Sequence, residues 1–122
     1  MTKMVHFEIP VDDTEKSRAF WAGLFGWQFE AYPGPSEYHM ARVDDSSGVA
    51  ISQEPGKRGA RTYFDVDDIR AGAAKVNELG GKASDPMPVP SMGWFATCGD
   101  DQGNEFGLWQ SDESAPNPSE SS

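Results

Sequence analysis

The sequence predicts an α+β protein of two βαβββ modules, each a curved four-stranded sheet covered by one helix. Two observations support this prediction. "VDDTEKSRAFWAGLFG" at 11–26 resembles "VDDIRAGAAKVNELGG" at 66–81, so the chain repeats itself. Strand-like segments precede and follow each copy. We place module one at 1–55 and module two at 58–110 of a single domain, and we expect a disordered acidic tail at 111–122.

The first module begins with the strand-like "MVHFEI", followed by a helix with clear end signals. Asp13 can cap its N-terminus, and Gly26 can end it in a left-handed conformation. Four residues of this helix lie on one face at helical spacing, and we expect that face to pack on the core. They are Ser17, Phe20, Trp21 and Leu24. Strand-like segments then follow at 27–32, 38–43 and 48–53.

The second module has the same order, starting from the strand-like "RTYF". Asp68 is the predicted helix cap, and Gly80–Gly81 the predicted end. The expected core stripe is Ile69, Ala73, Val76 and Leu79. A weak strand is predicted at 81–84 and stronger ones at 92–98 and 105–110, whereas three prolines between 86 and 90 indicate a loop or an edge.

The composition excludes several classes of partner. The formal charge is −10, which argues against binding to nucleic acid or to an anionic membrane surface and would suit a cationic ligand. The single cysteine, Cys98, excludes an internal disulfide and fits a reducing compartment. No signal peptide and no membrane-spanning segment is visible, so we expect a cytoplasmic protein.

Two stretches carry a family resemblance: "HFEIPVDDTEKSRAFWAGLFGW" at 6–27 and "DDQGNEFGLWQ" at 100–110. With the repeat, they resemble the vicinal oxygen chelate superfamily, which includes glyoxalase I, extradiol dioxygenases, and fosfomycin- and bleomycin-resistance proteins. The resemblance implies two modules whose sheets cup a cavity. It also implies that metal-dependent members take ligands from four strand positions, one in the first and one in the last strand of each module.

The four corresponding positions here are poor in metal donors. Counting in twos along the strands places His6 at the first position and Arg61 at its counterpart in module two. Ala50 holds the third position. Gly107 stands where metal-binding relatives have the glutamate of a strand like "FELxQ". A catalytic metal needs about three protein ligands, so we expect no metal cofactor. A glycine instead leaves space for a ligand or a neighbouring ring.

These considerations favour a metal-free protein that binds a small, partly aromatic molecule, as drug-sequestering resistance proteins do. Arg61 in such a cavity needs a partner such as Glu8 or Asp65. Trp94 and Trp109 would supply two flat walls. The predicted ligand-binding residues are His6, Glu8, Ser52, Arg61, Tyr63, Trp94, Gly107 and Trp109.

Two other functions remain open. A relocated Zn²⁺, Ni²⁺ or Fe²⁺ site built from His6, Glu8 and Glu105 would make the chain a glyoxalase-like lyase or a dioxygenase. Alternatively, the chain is a non-catalytic module that acts by association, with its acidic tail as a contact segment. The sequence leaves a homodimer open and does not identify the ligand.

Overall fold

The computed structural model confirms the α+β fold and describes residues 2–117. The chain divides into two units, and the division falls within one strand, Arg61–Asp65. The first unit comprises residues 5–62 and the second comprises residues 2–4 and 63–117. Each unit contains one helix and several strands, as the sequence repeat predicts.

The first unit is a four-stranded sheet with one helix. Its elements, in chain order, are β1 (Met4–Val11), α1 (Thr14–Phe25), β2 (Glu30–Ala31), β3 (Tyr38–Asp44) and β4 (Ser47–Gln53). The strand order is β2-β3-β4-β1, in which β4 and β1 are parallel and the other neighbours are antiparallel. Because β4 is a central strand, Val49, Ala50 and Ile51 are all fully buried.

The second unit repeats this arrangement with one extra short strand. Its elements are β5 (Arg61–Asp65), α2 (Ile69–Glu78), β6 (Lys82–Ala83), β7 (Met87–Val89), β8 (Gly93–Gly99) and β9 (Glu105–Ser111). The order is β5-β9-β8-β6, with β7 also paired to β8. The proline-rich stretch predicted as a loop or edge therefore includes the three-residue strand β7.

The helix ends lie where the sequence predicts them. The Asp13 side chain accepts a 3.0 Å hydrogen bond from Lys16 N, and Asp68 accepts one of 3.1 Å from Ala71 N. Each carboxylate thereby satisfies a backbone donor that has no partner within its helix. Gly26 ends α1 with φ at 73°, a left-handed conformation that glycine adopts without strain.

The predicted core stripe is only partly correct. In α2, Ile69 and Ala73 are buried and pack on a cluster that includes Ala96 and Leu108, but Leu79 is 68 % exposed. The larger error concerns α1. Thr14 faces inward, and Phe20 and Leu24 are mostly exposed. The apolar arc of α1 is thus wider than the part of the helix that the sheet can cover.

The predicted tail boundary is also wrong. Ser111 is the last residue of β9, and Ala115 is buried because the chain after β9 folds back on the β7–β8 turn. Asp112 N donates to Met92 O at 2.9 Å, and Ser91 N donates to Ala115 O at 3.0 Å. Residues 118–122 lie outside the described part of the chain. Neither α1 nor α2 is long and apolar enough to cross a bilayer, nor is any other helical segment of residues 2–117.

Candidate functional site

The candidate site lies on one face of the first unit's sheet, where β4 carries only small side chains. Side chains alternate along a strand, so this face receives Gly48, Ala50 and Ser52 from β4. Glu8 on β1 is paired with Ala50, and Tyr38 on β3 is paired with Ser52. The short β4 side chains leave room for groups on β3 and β1 to meet above them.

Tyr38 bridges that space. Its hydroxyl donates a 2.6 Å hydrogen bond to Glu8 Oε2 and lies 3.0 Å from His6 Nε2. A tyrosine hydroxyl has a single proton, which is used on Glu8, so the His6 contact requires Nε2–H to donate to the Tyr38 oxygen. The three side chains form a directed chain of hydrogen bonds from His6 to Glu8.

Arg61, at the start of β5, extends the network to a second carboxylate. Its Nε and Nη2 donate to Glu8 Oε1 at 3.1 and 2.8 Å. Its Nη1 donates to Glu54 Oε1 at 3.0 Å, and Nη2 contacts Glu54 Oε2. The guanidinium therefore holds two carboxylates together, with only 12 % of its own side chain exposed. We refer to His6, Glu8, Tyr38, Glu54 and Arg61 as the Arg61 network.

The electrostatics of the network follow from burial and pairing. Burial lowers the pKa of His6, because desolvation disfavours the charged imidazolium, and the nearby Glu8 charge offsets part of that effect. Hydrogen bonds from Arg61 lower the pKa of Glu54. In return, the hydrogen bonds to the two carboxylates raise the pKa of Arg61, and Glu54 has the larger effect. At neutral pH the network contains one cation, two carboxylates and a neutral histidine, so its net charge is negative.

Four predicted residues meet on this face, namely His6, Glu8, Ser52 and Arg61. Ser52 is 9 % exposed and hydrogen-bonds the Glu54 carboxylate. The predicted pairing of Arg61 with Glu8 is confirmed, whereas the other candidate partner, Asp65, is exposed.

Two members of the network, Tyr38 and Glu54, were not predicted from the sequence. Glu54 directly follows β4, and it reaches Arg61 only because the chain turns back between β4 and β5. The conformation of that turn was not predicted. Tyr38 is two strands away from Glu8 within the sheet. The sequence contained one indication of the bridge, namely a tyrosine on the strand next to β4, whose residues on the same face are all small.

In the second unit, Gly107 provides room for an aromatic ring. A Cβ atom built at this position would lie 2.3 Å from two ring atoms of Tyr63, which is itself 5 % exposed. Of the two occupants expected beside this glycine, a ligand or a neighbouring ring, the structure places the ring of Tyr63 there. A glutamate at 107 would require that ring to move.

The two tryptophans do not form two walls of one cleft. In the β8–β9 pairing, Trp94 lies opposite Gln110 and Phe95 lies opposite Trp109, so the indoles point to opposite faces of the sheet. Trp109 covers Gly93, where a Cβ would lie 2.6 Å from the indole ring. Trp94 packs on the α2 side, next to an open cleft of about 380 Å³. The residues lining that cleft are Asp67, Asp68, Ile69, Arg70, Trp94 and Gln110.

The residues at the four superfamily positions do not fit a divalent metal. His6 uses Nε2–H to donate to Tyr38, Arg61 is a cation, and Ala50 has no donor atom. Gly107 has none either, and the ring of Tyr63 occupies its surroundings. Within residues 2–117, no three His, Cys, Asp or Glu side chains are grouped closely enough to hold one metal ion.

Comparison with known proteins supports the relationship that the fold indicates. Residues 3–43 match the family described as bleomycin resistance protein-like N-terminal. A glyoxylase-like domain-containing protein from Didymella fabae is 31% identical over 113 residues, which cover 83% of this chain and 88% of that protein.

Two solved structures share the fold at low sequence identity. Protein BH1468 from Bacillus halodurans has a TM-score of 0.75 at 15% identity, covering 95% of this chain and 99% of that one. Streptomyces coelicolor methylmalonyl-CoA epimerase, in complex with 2-nitronate-propionyl-CoA, has a TM-score of 0.77 at 15% identity, covering 96% and 99%. The chain belongs to the vicinal oxygen chelate superfamily, within its glyoxalase and bleomycin-resistance group.

Proposed function

We propose that this chain binds a small, partly aromatic molecule without a metal ion, as a sequestering protein rather than as a metal-dependent enzyme. The observation that carries the proposal is the ion pair of Arg61 with Glu8 and Glu54. A cation occupies a position where metal-dependent relatives have a ligand, and the two nearby carboxylates are already bound to it. A divalent ion at this place would be repelled by the guanidinium.

The charge of the site favours a cationic or neutral ligand. Arg61 directs Nε, Nη1 and Nη2 to the carboxylates, so its hydrogen-bonding capacity toward an added anion is low. The whole chain carries −10, which adds a long-range preference for cations. A polyanionic thioester such as a CoA ester is therefore a poorer candidate than a cationic aromatic compound.

The ligand would make polar contacts to the Arg61 network and stack on an aromatic side chain of the same unit, for which the partly buried ring of Tyr38 is the candidate. Aromatic surfaces of this kind bind flat molecules through contact area at low entropic cost. Which cationic compound binds is a matter for screening.

The test begins with metal analysis of untagged protein, before and after dialysis against a chelator. Thermal unfolding is then followed with two probes, metal-free bleomycin as the cationic aromatic compound and propionyl-CoA as the polyanion. We expect no stoichiometric metal, a rise of several degrees in Tm with the cationic probe, and no rise with propionyl-CoA.

Two variants show whether the network is the binding site. Glu8→Gln removes a network carboxylate. Asp45→Asn removes an exposed carboxylate of the same unit and changes the net charge by the same amount. The Tm rise should be lost only in Glu8→Gln. Equal loss in both variants would indicate long-range attraction and would contradict the assignment.

The metalloenzyme alternative makes the opposite predictions. Stoichiometric Zn²⁺, Ni²⁺ or Fe²⁺ together with chelator-sensitive lyase activity on methylglyoxal and glutathione would overturn the proposal. The Didymella fabae relative is the reason to run that assay, since its name refers to a glyoxylase-like domain.

A further inference from the structure

The open cleft beside Trp94 lies within the second unit and shares no residue with the Arg61 network. Its volume of about 380 Å³ falls in the range of small-molecule sites, roughly 300–1,000 Å³. Buried Ile69 and half-buried Trp94 give it apolar surface, and the exposed residues Asp67 and Asp68 give it carboxylates. An apolar wall with a few charged groups beside it is the usual composition of a ligand site. We refer to this cleft as the Trp94 cleft.

The Trp94 indole is held in its orientation by the chain that follows β9. Its Nε1 donates a 3.0 Å hydrogen bond to Asp112 Oδ2. Asp112 is itself held, since its Oδ1 accepts hydrogen bonds from Ser114 N at 2.9 Å and from Ser114 Oγ at 2.6 Å. Another lining residue, Gln110, accepts a 2.8 Å hydrogen bond from Ile69 N through its Oε1. Walls that are fixed in this way lose little conformational freedom when a ligand binds.

A cation already occupies the face of that indole. The guanidinium carbon of Arg70 lies 5.7 Å from the centroid of the Trp94 ring, within the distance of about 6 Å at which a cation is attracted to an aromatic face. Arg70 is exposed in the first turn of α2, so its side chain can leave the indole for solvent without a change in the backbone. Arg70 thus shows which chemical group the indole face accepts, and it is placed to compete with a ligand for that face.

The charges around the indole favour a cation over an anion. Asp67 and Asp68 both line the cleft, whereas Arg70 is the one basic residue among the lining residues in the described part of the chain. Asp68 caps α2 by accepting from Ala71 N, a neutral donor that leaves the carboxylate charge in place. A guanidinium suits this arrangement, because its planar N–H groups donate to carboxylates in pairs and its flat face stacks on an aromatic ring.

We propose that the Trp94 cleft binds a small molecule that carries a guanidinium group. The guanidinium of the ligand takes the place of Arg70 over the Trp94 ring, and its N–H groups donate to Asp67 and Asp68. Arg70 is then a tethered competitor that the ligand must displace. This second site is separate from the Arg61 network, and it would exist whatever that network binds.

Agmatine and putrescine are matched probes, because both are dications built on a four-carbon chain and only agmatine has a guanidinium. Each is titrated at constant ionic strength into the ¹⁵N-labelled full chain, and binding is followed by NMR through the indole N–H signal of Trp94. That signal is assigned by its absence from Trp94→Phe. We expect a saturable shift with agmatine and a several-fold weaker affinity for putrescine. Equal affinities, or no saturable shift with agmatine, would overturn the proposal.

Two substitutions separate competition by Arg70 from a general effect of charge. Arg70→Ala should tighten agmatine binding about two- to fivefold, the equivalent of one exposed cation–π contact. The control is Lys75→Ala, which removes the same charge from an exposed side chain of the same helix and should leave the dissociation constant unchanged. If Arg70→Ala binds agmatine no more tightly than Lys75→Ala does, Arg70 is not displaced and the assignment is wrong.

The role of the carboxylates is measured in the same titration. Asp67→Asn should weaken agmatine binding, because the guanidinium loses a charged acceptor. Asp85→Asn removes an exposed carboxylate elsewhere in the second unit, with the same change in net charge, and should have no effect. Equal weakening in the two variants would mean that the protein attracts the probe only through its overall charge, which contradicts a defined site.

Discussion

The Tyr38 hydroxyl donates a 2.6 Å hydrogen bond to Glu8 Oε2 across the central strand β4. This contact exists because Ala50, paired with Glu8 on β4, has a side chain too small to separate the two groups. The position at which the family resemblance implies a metal ligand thus leaves room for a hydrogen-bonded network here. Its small side chain is what admits the bridge.

Removal of the bridge should destabilise the protein. In Tyr38→Phe, Glu8 Oε2 loses a donor and the His6 Nε2–H loses an acceptor in a partly buried place. We expect the free energy of unfolding to fall by about 1–3 kcal/mol, the usual cost of leaving such groups unsatisfied. Urea unfolding measures the change, and a curve superimposable on that of the wild type would show that water replaces the hydroxyl without loss.

Arg61 should not tolerate replacement by lysine. A lysine ammonium cannot reproduce the planar contacts that Arg61 makes with Glu8 and Glu54, so we expect Arg61→Lys to cost about 1–3 kcal/mol. The control is Arg58→Lys. The Arg58 pair with Asp12 is exposed on both sides, so this substitution should leave the unfolding curve close to that of the wild type. Similar losses in the two variants would mean that burial of the Arg61 pair contributes little.

A side chain at position 107 should be incompatible with the present packing. Gly107→Ala places a Cβ 2.3 Å from the Tyr63 ring, and we expect a loss of about 1–3 kcal/mol from the forced shift. The control is Gly34→Ala, which adds the same atom where nothing lies within 4 Å. We expect the free energy of unfolding of this variant to stay within about 0.5 kcal/mol of the wild-type value, in either direction. Chemical unfolding of both variants checks the comparison.

Stability should decrease as the pH falls through the titration range of His6. Its pKa is lowered in the folded protein relative to the ordinary value of 6.5, so below that value the unfolded chain binds more protons than the folded one. The stabilising contribution is therefore complete above about pH 6.5 and is lost progressively below it, until the folded-state pKa is reached. Glu8, which raises the pKa, and the Tyr38 hydroxyl both face His6.

The measurement is the free energy of unfolding at a series of pH values across this range, compared between wild type and His6→Asn. We expect a shallower slope in the variant. His39 is present in both proteins, so the difference between the two slopes reports on His6. An unchanged slope would mean that His6 has the same proton affinity in the folded and unfolded states.

Periodicity and local chemistry were enough to predict most of the secondary structure. The repeated Val-Asp-Asp segments, the caps at Asp13 and Asp68 and the left-handed Gly26 all depend on interactions within a few residues, so the sequence contains them in full. The strand faces follow from alternation, which is why His6 and Glu8 were correctly placed together.

The errors share a physical cause, since each concerns how much of an element its neighbours cover. The spacing of Phe20 and Leu24 indicates an apolar face, but only the packing of α1 decides that this face is exposed. The composition of the last residues suggested disorder, yet contacts with the β7–β8 turn bury Ala115.

The sequence by itself determined the family fold, the helix ends and the scarcity of metal donors at His6, Ala50, Arg61 and Gly107, because those depend on residue type and period. The tertiary structure alone decided that Tyr38 reaches Glu8, that Glu54 completes the Arg61 pair and that Trp94 and Trp109 lie on opposite sheet faces. Strand order and register bring Tyr38 to Glu8 across 30 positions, and the turn after β4 brings Glu54 to Arg61 across 7 positions. Nothing local to either partner encodes their distance.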